Sequence, residues 1–487
     1  MKLVELLNLV KVIQVVGKPE DKLVTELTND SREVIKNSIF FAIKGLKDNG
    51  NKYIEEAINN GACAIVTEKD SSLPEQLFTH TNTVKIVVEN SRKSFAEFSN
   101  HFFDEPSKKI TLIGVTGTKG KTTTAFYIKN VFQNAGYKTG LIGTIASYIG
   151  DEKINTNLTT PQPNTINKLL KKMVQENCTH CVMEVSSIAL DLHRVDYLDF
   201  NFAVFTNITS DHMDYHKTFD HYLASKKILF DMITPNNNIV YNKDDVNSSK
   251  IIKTSSALKH SYGSDEAEFK IKNIEYSLDG TSFTIEYLKK DYLLSTSLVG
   301  HFNAYNATAA FATAVVAGVE PETAIKGIAK TPQVPGRFEI VSSGAKKVIV
   351  DYSHTADSLK QALSAIQHIV KGQRSIITVF GCGGDRDRTK RPVMGKIATE
   401  MSDYVFVTSD NPRTEDPVKI IEEIVTGIKT KNYETIVDRE EAIKKAILSS
   451  DPDSVILIAG KGHEDYQEIN GIKYHFSDKE IAEKYLK

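Results

Sequence analysis

Ten residues, Gly114-Val-Thr-Gly-Thr-Lys-Gly-Lys-Thr-Thr123, constrain this chain more than any other stretch. They follow a short apolar run, Ile110 to Val115, and lead into a helical pattern from Thr122 to Gln133 that Gly136 closes. A second apolar run, Thr139 to Ile142, comes next, so the segment reads as a βαβ unit with a glycine-rich first turn. Backbone N–H groups of such a turn, with the helix N-terminus behind them, cradle phosphate. Lys121 supplies a point charge for the β- and γ-phosphates, and Thr122 a hydroxyl for Mg²⁺. The spacing Gly117-x-x-Gly120-Lys121-Thr122 is shorter than the usual phosphate-loop pattern. A plain glycine turn is the alternative, and Gly-Lys-Thr-Thr at a strand-to-helix junction speaks against it. ATP is the expected ligand.

The rest of the chain extends this unit into an α/β protein. Strands are expected to end at Val182–Val185, Ala203–Thr206 and Ile239–Asn242. Three alternating runs follow, Phe269–Tyr276, Ser282–Tyr287 and Tyr292–Ser297, with Asp279-Gly280 as a hairpin turn, which gives a small antiparallel patch. Beyond Thr331-Pro-Gln-Val-Pro-Gly336, apolar strands at Val348–Val350, Ile376–Phe380, Val405–Thr408 and Val455–Ala459 alternate with helical patterns, as in a second, Rossmann-like parallel domain. A break also falls at Asp104-Glu-Pro-Ser107, where an amphipathic helix from Phe95 to Phe103 stops. At about 150 residues per domain, 487 residues suit three domains. The expected spans are a mixed α/β domain over 1–105, a phosphate-loop domain over 106–331 and a C-terminal domain over 332–487.

Composition narrows the function classes. Hydrophobic residues make up 40% and charged residues 25%, and 60 basic against 62 acidic side chains leave a net charge of −2. That balance gives no global attraction to nucleic acid or anionic membrane. No apolar run reaches the roughly 18–20 residues of a membrane span. The start, MKLVELLNLVKVIQ, reads as an amphipathic helix without a cleavage site, so a cytoplasmic protein is expected. Cys178 and Cys181 form one C-x-x-C without a second pair or spaced histidines, which favours packing over metal or redox chemistry.

Strand ends of a parallel sheet line the crevice where ligands bind. Glu184 closes the run His180–Val185, a costly place for a carboxylate without a cation. Asp211 and His212 follow the next strand, and Ser225-Lys-Lys227 lies on the helix after that. In the C-terminal domain, charged glycine-rich loops follow the strands at Phe380–Pro392, Ser409–Pro417 and Ala459–Asp465. Arg386 and Arg413 offer planar forks for a carboxylate, and Asp410 and Glu464 acceptors for an ammonium. Such a site suits a zwitterionic amino acid, the alternative being solvated loops with helix caps.

Together these residues resemble the Mur ligases over nearly the whole chain. The resemblance rests on Asp30-Ser-Arg32, Phe40-Phe-Ala-Ile-Lys-Gly45, the Gly117–Thr123 loop, Thr159-Thr-Pro161, Met183-Glu-Val-Ser-Ser187 and Asp211-His-Met-Asp-Tyr-His216. It continues through Gly300-His-Phe-Asn-Ala-Tyr-Asn306, Pro335-Gly-Arg-Phe-Glu339, Asp351-Tyr-Ser-His354, Gly381-Cys-Gly-Gly-Asp-Arg386, Asp410-Asn-Pro-Arg413 and Gly460-Lys-Gly-His-Glu464. Within the family it is similar to the ligases that add the third amino acid of the peptidoglycan stem peptide.

The resemblance implies an ATP- and Mg²⁺-dependent, amide-forming ligase of cell-wall precursor synthesis, with an acyl-phosphate intermediate. Its implied substrates are UDP-N-acetylmuramoyl-L-alanyl-D-glutamate and meso-2,6-diaminopimelate, without nucleic-acid or membrane partners, and its implied state is a monomer. By carry-over, Ser31, Thr159, Thr160, Ser186 and Arg194 hold the UDP-muramoyl dipeptide. Gly117, Thr118, Lys119, Gly120, Lys121, Thr122 and Thr123 hold ATP, with Asn303, Arg337 and Asp351. Thr122, Glu184 and His212 serve Mg²⁺, and Lys226 matches the family's carboxylated lysine. Lys121, His212 and Lys226 are the implied catalytic residues. Arg386, Asp410, Asn411, Pro412, Arg413, Gly460 and Glu464 match the diaminopimelate site. Four positions depart from the pattern: Ile188 stands for a usual His, Leu192 for Gln, Lys119 for Asn and Ala356 for Pro. A lysine-adding homologue is the rival within the class, and Arg413 argues against it. The Asp-Asn-Pro-Arg loop is foreign to folylpolyglutamate synthetases. A non-catalytic nucleotide-binding regulator would be favoured by loss of Lys121, Glu184 or His212, and all three are present.

Overall fold

The computed structural model describes residues 1–45, 48–69, 74–156, 158–343 and 345–487. The chain divides into two units, one of residues 1–262 with 312–319, the other of residues 263–311 with 320–487.

The first unit holds two sheets. The N-terminal sheet has the order Gln14–Val16, Val84–Val88, Ala64–Glu68, Ser38–Phe41, Glu26–Thr28, parallel except for its first strand. The chain start differs from the expected long helix: it is helical only over Leu3–Leu7, and Gln14–Val16 pairs as a strand. The β-branched cluster Val10, Val12, Ile13, Val15 and Val16 favours extended chain once the buried Leu3 and Leu6 have anchored one turn. Helix Ser91–Phe102 covers the sheet and ends where Asp104 and Glu105 take positive φ. Helix Pro163–Gln175 joins this sheet to the central one, since Asn164 Nδ2 donates to the Leu27 carbonyl at 2.8 Å and Lys168 pairs with Glu26 at 3.2 Å.

In the central sheet, Thr111–Thr116 lies between His180–Glu184 and Phe202–Phe205, all parallel. Thr139–Ile142 continues one side, and Asn238–Asn242 with Leu258–Gly263 the other. Chain order therefore reverses at Thr111–Thr116, and a crevice opens beyond the carboxyl ends there. An edge hairpin, Ser147–Ile149 with Glu152–Ile154, has too short and polar a sequence to announce itself. The strands are buried on both faces, which is why they read as continuous apolar runs. Cys178 and Cys181 are buried free thiols in this core, as the packing reading expects.

The second unit carries the antiparallel strands Phe269–Ser277, Gly280–Tyr287 and Lys290–Thr296, with a bulge between Lys272 and Glu275. Its six-stranded sheet runs Glu339–Ser343, Lys346–Asp351, Val455–Ala459, Ile376–Phe380, Tyr404–Val407, Tyr433–Thr435, and only the first strand is antiparallel. Side chains alternate between its faces. Ile349 and Leu457 pack with helices Ala356–Val370, Lys390–Met401 and Pro417–Val425, while Val348, Val350, Ile456 and Ile458 meet Arg439–Ser449 and Asp478–Tyr485. A hairpin, Tyr466–Ile469 with Ile472–His475, follows the last long strand. Among the described residues no helix is long and apolar enough to cross a membrane.

Candidate functional site

The helix after the glycine loop spans Lys121–Asn134 and begins directly behind Gly120, whose φ is +82°. Its first-turn N–H groups thus face the loop, the arrangement that binds anions. Gly117 has φ +153°, and a Cβ there would lie 1.9 Å from Thr206 Oγ1, so no other residue fits. The next strand end fixes the loop from below. Thr206 Oγ1 donates to the Lys119 carbonyl at 2.6 Å, Lys119 N–H to Asn207 Oδ1 at 3.0 Å, and Thr118 N–H to the Asn207 carbonyl at 2.8 Å. Thr118 Oγ1 lies 2.9 Å from the Tyr222 hydroxyl. Lys121 Nζ folds over the loop onto the carbonyls of Gly117 and Thr118, at 2.8 and 2.9 Å. Thr122 and Thr123 are both buried.

Beside the loop, fully buried Glu184 accepts from Thr122 Oγ1 at 2.8 Å, from Thr144 N–H at 2.8 Å and from Thr144 Oγ1 at 2.9 Å. Lys226, on helix Phe219–Asp231, is buried, donates from Nζ to the Gly117 carbonyl at 2.7 Å and lies 4.7 Å from the Tyr222 ring centroid. Burial first, then the charge of Lys121, drives its ammonium pKa well down. His212 stands at φ +56° in front of the short helix Met213–His216, with its side chain 45% exposed. Burial lowers its pKa, Asp211 opposes the shift, and the Lys121 and Lys226 charges add to it. A neutral imidazole is the ligating form.

These groups fit a magnesium ion. Mg²⁺ takes one or two protein carboxylates together with phosphate oxygens and water rather than an all-protein cage. Among the described residues no three His, Cys, Asp or Glu side chains converge as ligands. The buried Glu184 carboxylate, held against the Thr122 hydroxyl at the loop, is the anion such an ion needs.

Four of the expected dipeptide residues gather beyond the same strand end. Thr160 Oγ1 donates to the Glu184 carbonyl at 2.8 Å and accepts from Ser186 N–H at 3.0 Å, and Arg194 Nη1 donates to the Thr160 carbonyl at 2.9 Å. Thr159 Oγ1 lies 3.0 Å from Thr144 Oγ1. Ser186 also caps the short helix Ser187–Asp191. Ser31 opens the short helical turn Ser31–Glu33 that follows the N-terminal strand Glu26–Thr28, and its hydroxyl donates to Glu56 at 2.8 Å.

The remaining expected residues lie in the second unit. Asn303 donates to the Val299 carbonyl at 2.9 Å, the Arg337 guanidinium lies 4.8 Å from the Tyr352 ring centroid, and buried Asp351 accepts from Phe338 N–H at 2.7 Å. Burial pushes the Asp351 pKa up. At the carboxyl ends of the six-stranded sheet, Asp410, Asn411 and Pro412 are buried, Arg413 half-buried and Arg386 exposed. Gly460 (φ +120°) leaves no room for a side chain, because a Cβ would sit 2.5 Å from Asp410 Oδ2. Arg413 also has positive φ, +52°, and its Nη1 donates to the Gly384 carbonyl at 2.7 Å. Glu464 accepts from Asn411 Nδ2 at 2.7 Å, and burial raises its pKa.

Several supporting residues escape sequence reading. Thr144 aligns Glu184 from a different strand end. Lys461, fully buried, donates to Asn411 Oδ1 at 3.0 Å and stands 3.4 Å from Glu464. Arg391, also buried, ties the loops together by donating to Glu415 at 2.8 and 2.9 Å and to the Gly383 carbonyl at 3.2 Å. Arg439 lies beneath, paired with Asp478 at 2.8 Å and bonded to the carbonyls of Ser409 and Ala459. Of these, only Lys461, inside Gly-Lys-Gly-His-Glu, carries a local signal.

Comparison with known proteins gives the chain's family. The Mur ligase middle domain matches residues 115–314, the glutamate ligase domain of Mur ligases 336–462, and the catalytic domain of the Mur ligase family 23–103. The UDP-N-acetylmuramoyl-L-alanyl-D-glutamate–2,6-diaminopimelate ligase 1 of Clostridium acetobutylicum is 42% identical over 468 residues, 95% of each chain. The corresponding ligase of Bacillus cereus is 41% identical over 490 residues, 99% of this chain and 98% of its own. A solved structure of a ligase of that name superposes with TM-score 0.70 at 29% identity, covering 100% of this chain and 98% of the other. The MurF ligase of Thermotoga maritima, solved in complex with ADP, shares the fold at TM-score 0.65 and 20% identity, over 90% and 94% of the two chains. The chain belongs to the Mur ligase family.

Proposed function

We propose that the protein is the ATP-dependent ligase that joins meso-2,6-diaminopimelate to UDP-N-acetylmuramoyl-L-alanyl-D-glutamate, in the cytoplasmic synthesis of peptidoglycan precursors. The observation that carries the reading is the buried Glu184–Thr122 pair with Lys226 at the mouth of the phosphate loop. Relatives at 41–42% identity over at least 95% of the chain, named for this reaction, support it. The division at about residues 105 and 331 is proposed on the separate sheets.

The chemistry follows from these groups. The γ-carboxylate of the D-glutamyl residue attacks the γ-phosphorus of ATP, the bond to the β,γ-bridging oxygen breaks, and ADP leaves. The amine of the incoming amino acid then attacks the acyl carbon of the acyl phosphate. Phosphate departs with the bonding pair, and the amine loses its proton. In such transfers the protein acts by positioning and charge neutralisation. Lys121 and the first-turn N–H groups meet the phosphates, with Gly117, Thr118, Lys119, Gly120 and Thr123 shaping the loop. Thr122, Glu184, His212 and Lys226 would hold Mg²⁺, which supplies Lewis-acid stabilisation of the phosphoryl oxygens. Lys226 serves this only as a carbamate. Its burial and its contact with a carbonyl rather than a carboxylate favour the neutral amine that adds CO₂. Asn303, Arg337 and Asp351 are proposed nucleotide residues on the family resemblance. Ser31, Thr159, Thr160, Ser186 and Arg194 are proposed for the UDP-muramoyl dipeptide. Arg386, the Asp410–Arg413 loop, Gly460 and Glu464 are proposed for diaminopimelate, with Arg413 on its second carboxylate and Glu464 on an ammonium. The test is mass-spectrometric detection of the UDP-muramoyl tripeptide with stoichiometric ADP. ATP hydrolysis without that product would refute the reading.

A further inference from the structure

The hairpin Tyr466–Ile469 with Ile472–His475 lies outside the loops that sequence assigns to the amino acid, yet it is bonded into them. Arg413 N–H donates to the Glu468 carbonyl at 3.0 Å, and Asn470 N–H returns a bond to the Arg413 carbonyl at 2.8 Å. Glu468 N–H donates to Asn411 Oδ1 at 2.9 Å, and Gln467 Nε2 to the Asp410 carbonyl at 2.7 Å. The hairpin thus adds a short parallel bridge, Arg413 to Ile469, to the Asp-Asn-Pro-Arg loop. This pairing holds Arg413 at φ +52°, a conformation a long side chain adopts only under restraint.

Side chains complete the arrangement. Glu468 Oε2 stands 3.3 Å from Arg413 Nε, with the two side chains 25% and 18% exposed. On the other side Arg413 Nη1 donates to the Gly384 carbonyl. A guanidinium presents its five N–H groups in one fixed plane. Held at Nε and at Nη1, that plane is set, and Nη2, without a protein partner among the described residues, forms its open edge.

We propose that Glu468 is a positioning residue for Arg413, and through it a determinant of selectivity for an amino acid with a second carboxylate. The inference rests on the reading of Arg413 given above. An arginine already ordered loses less side-chain entropy when the carboxylate arrives, an effect of about two- to ten-fold per immobilised side chain. The opposing effect is repulsion between Glu468 and that carboxylate. The geometry favours positioning, because Glu468 pairs with Nε and the second Nη2 N–H points away from that edge.

Steady-state kinetics decide between them. Glu468→Ala is expected to raise the KM for meso-diaminopimelate about two- to ten-fold, with kcat at saturation and the KM for ATP unchanged. Glu468→Gln keeps the side chain's shape but not the charge that pairs with Nε, and should follow Glu468→Ala. In an Arg413→Ala background, Glu468→Ala should add nothing. A lower KM in Glu468→Ala would show a competing anion and overturn the proposal. So would a common shift in all substrates, or a full additional loss on top of Arg413→Ala. An unchanged KM in Glu468→Ala beside a raised one in Arg413→Ala overturns this inference alone. An unchanged KM in Arg413→Ala overturns the amino-acid site itself.

Discussion

Thr144→Val is the most informative single change at the nucleotide site. Valine keeps the shape and the backbone N–H that donates to Glu184 Oε1 at 2.8 Å, but removes the hydroxyl that donates to Oε2 at 2.9 Å. Glu184 then keeps Thr122 as a hydroxyl donor to Oε2. A hydrogen bond to a charged group is worth about 1.5–3 kcal/mol. If the bond serves to aim the carboxylate, its loss appears in the transition state as a roughly ten- to hundred-fold fall in kcat/KM for Mg-ATP. The hydroxyl also touches Thr159 Oγ1, so the KM for the UDP-muramoyl dipeptide is expected to rise as well. The assay is phosphate release over a Mg²⁺ titration, in which the half-saturating Mg²⁺ concentration should increase. Parental Mg²⁺ dependence and turnover in Thr144→Val, beside an inactive Glu184→Gln, would refute the alignment argument. Near-normal turnover in Glu184→Gln would remove Glu184 from the metal site altogether.

Other residues give equally direct tests. Lys121→Ala is expected to abolish ligation while circular dichroism stays parental, since it removes the charge over the loop; a folded variant with near-normal turnover would refute that role. Lys226→Ala should be nearly inactive and partly rescued by small carboxylates in the phosphate-release assay, because the lost group is an anion. Lys226→Arg working as well as the parent would contradict the carbamate. Arg413→Ala should raise the KM for diaminopimelate roughly ten- to hundred-fold, from the loss of a charge-assisted pair, and change lysine use little. Equal losses for both amino acids would place selectivity elsewhere.

What sequence reveals here follows the range of the interactions. The phosphate loop, its helix and the buried strands are local patterns of glycine, period and apolar run, and Glu184 stands out as a carboxylate ending such a run. Thr144 and Glu468 act through polar contacts with residues remote in the chain, and nothing in their neighbours' periodicity marks them, while Lys461 shows only as part of Gly-Lys-Gly-His-Glu. Arg391 and Arg439 are hidden for a related reason: a buried arginine looks like any surface arginine until its carboxylate partners, Glu415 and Asp478, are brought to it by folding. The N-terminal segment misleads because one helical turn anchored by Leu3 and Leu6 is followed, after a six-residue connection, by a strand, so two short patterns merge into one apparent helix. The hairpin at 466–475 is short, polar and exposed on its second strand, which leaves no alternation to read.

The central claim is that one chain couples ATP cleavage to capture of a diamino diacid. Phosphate release measured with UDP-N-acetylmuramoyl-L-alanyl-D-glutamate, ATP and Mg²⁺, adding meso-diaminopimelate and L-lysine in turn, tests it most directly. The expected result is sustained release, with one tripeptide per phosphate, for meso-diaminopimelate and little for lysine. Faster turnover with lysine, or release independent of any amino acid, would contradict it.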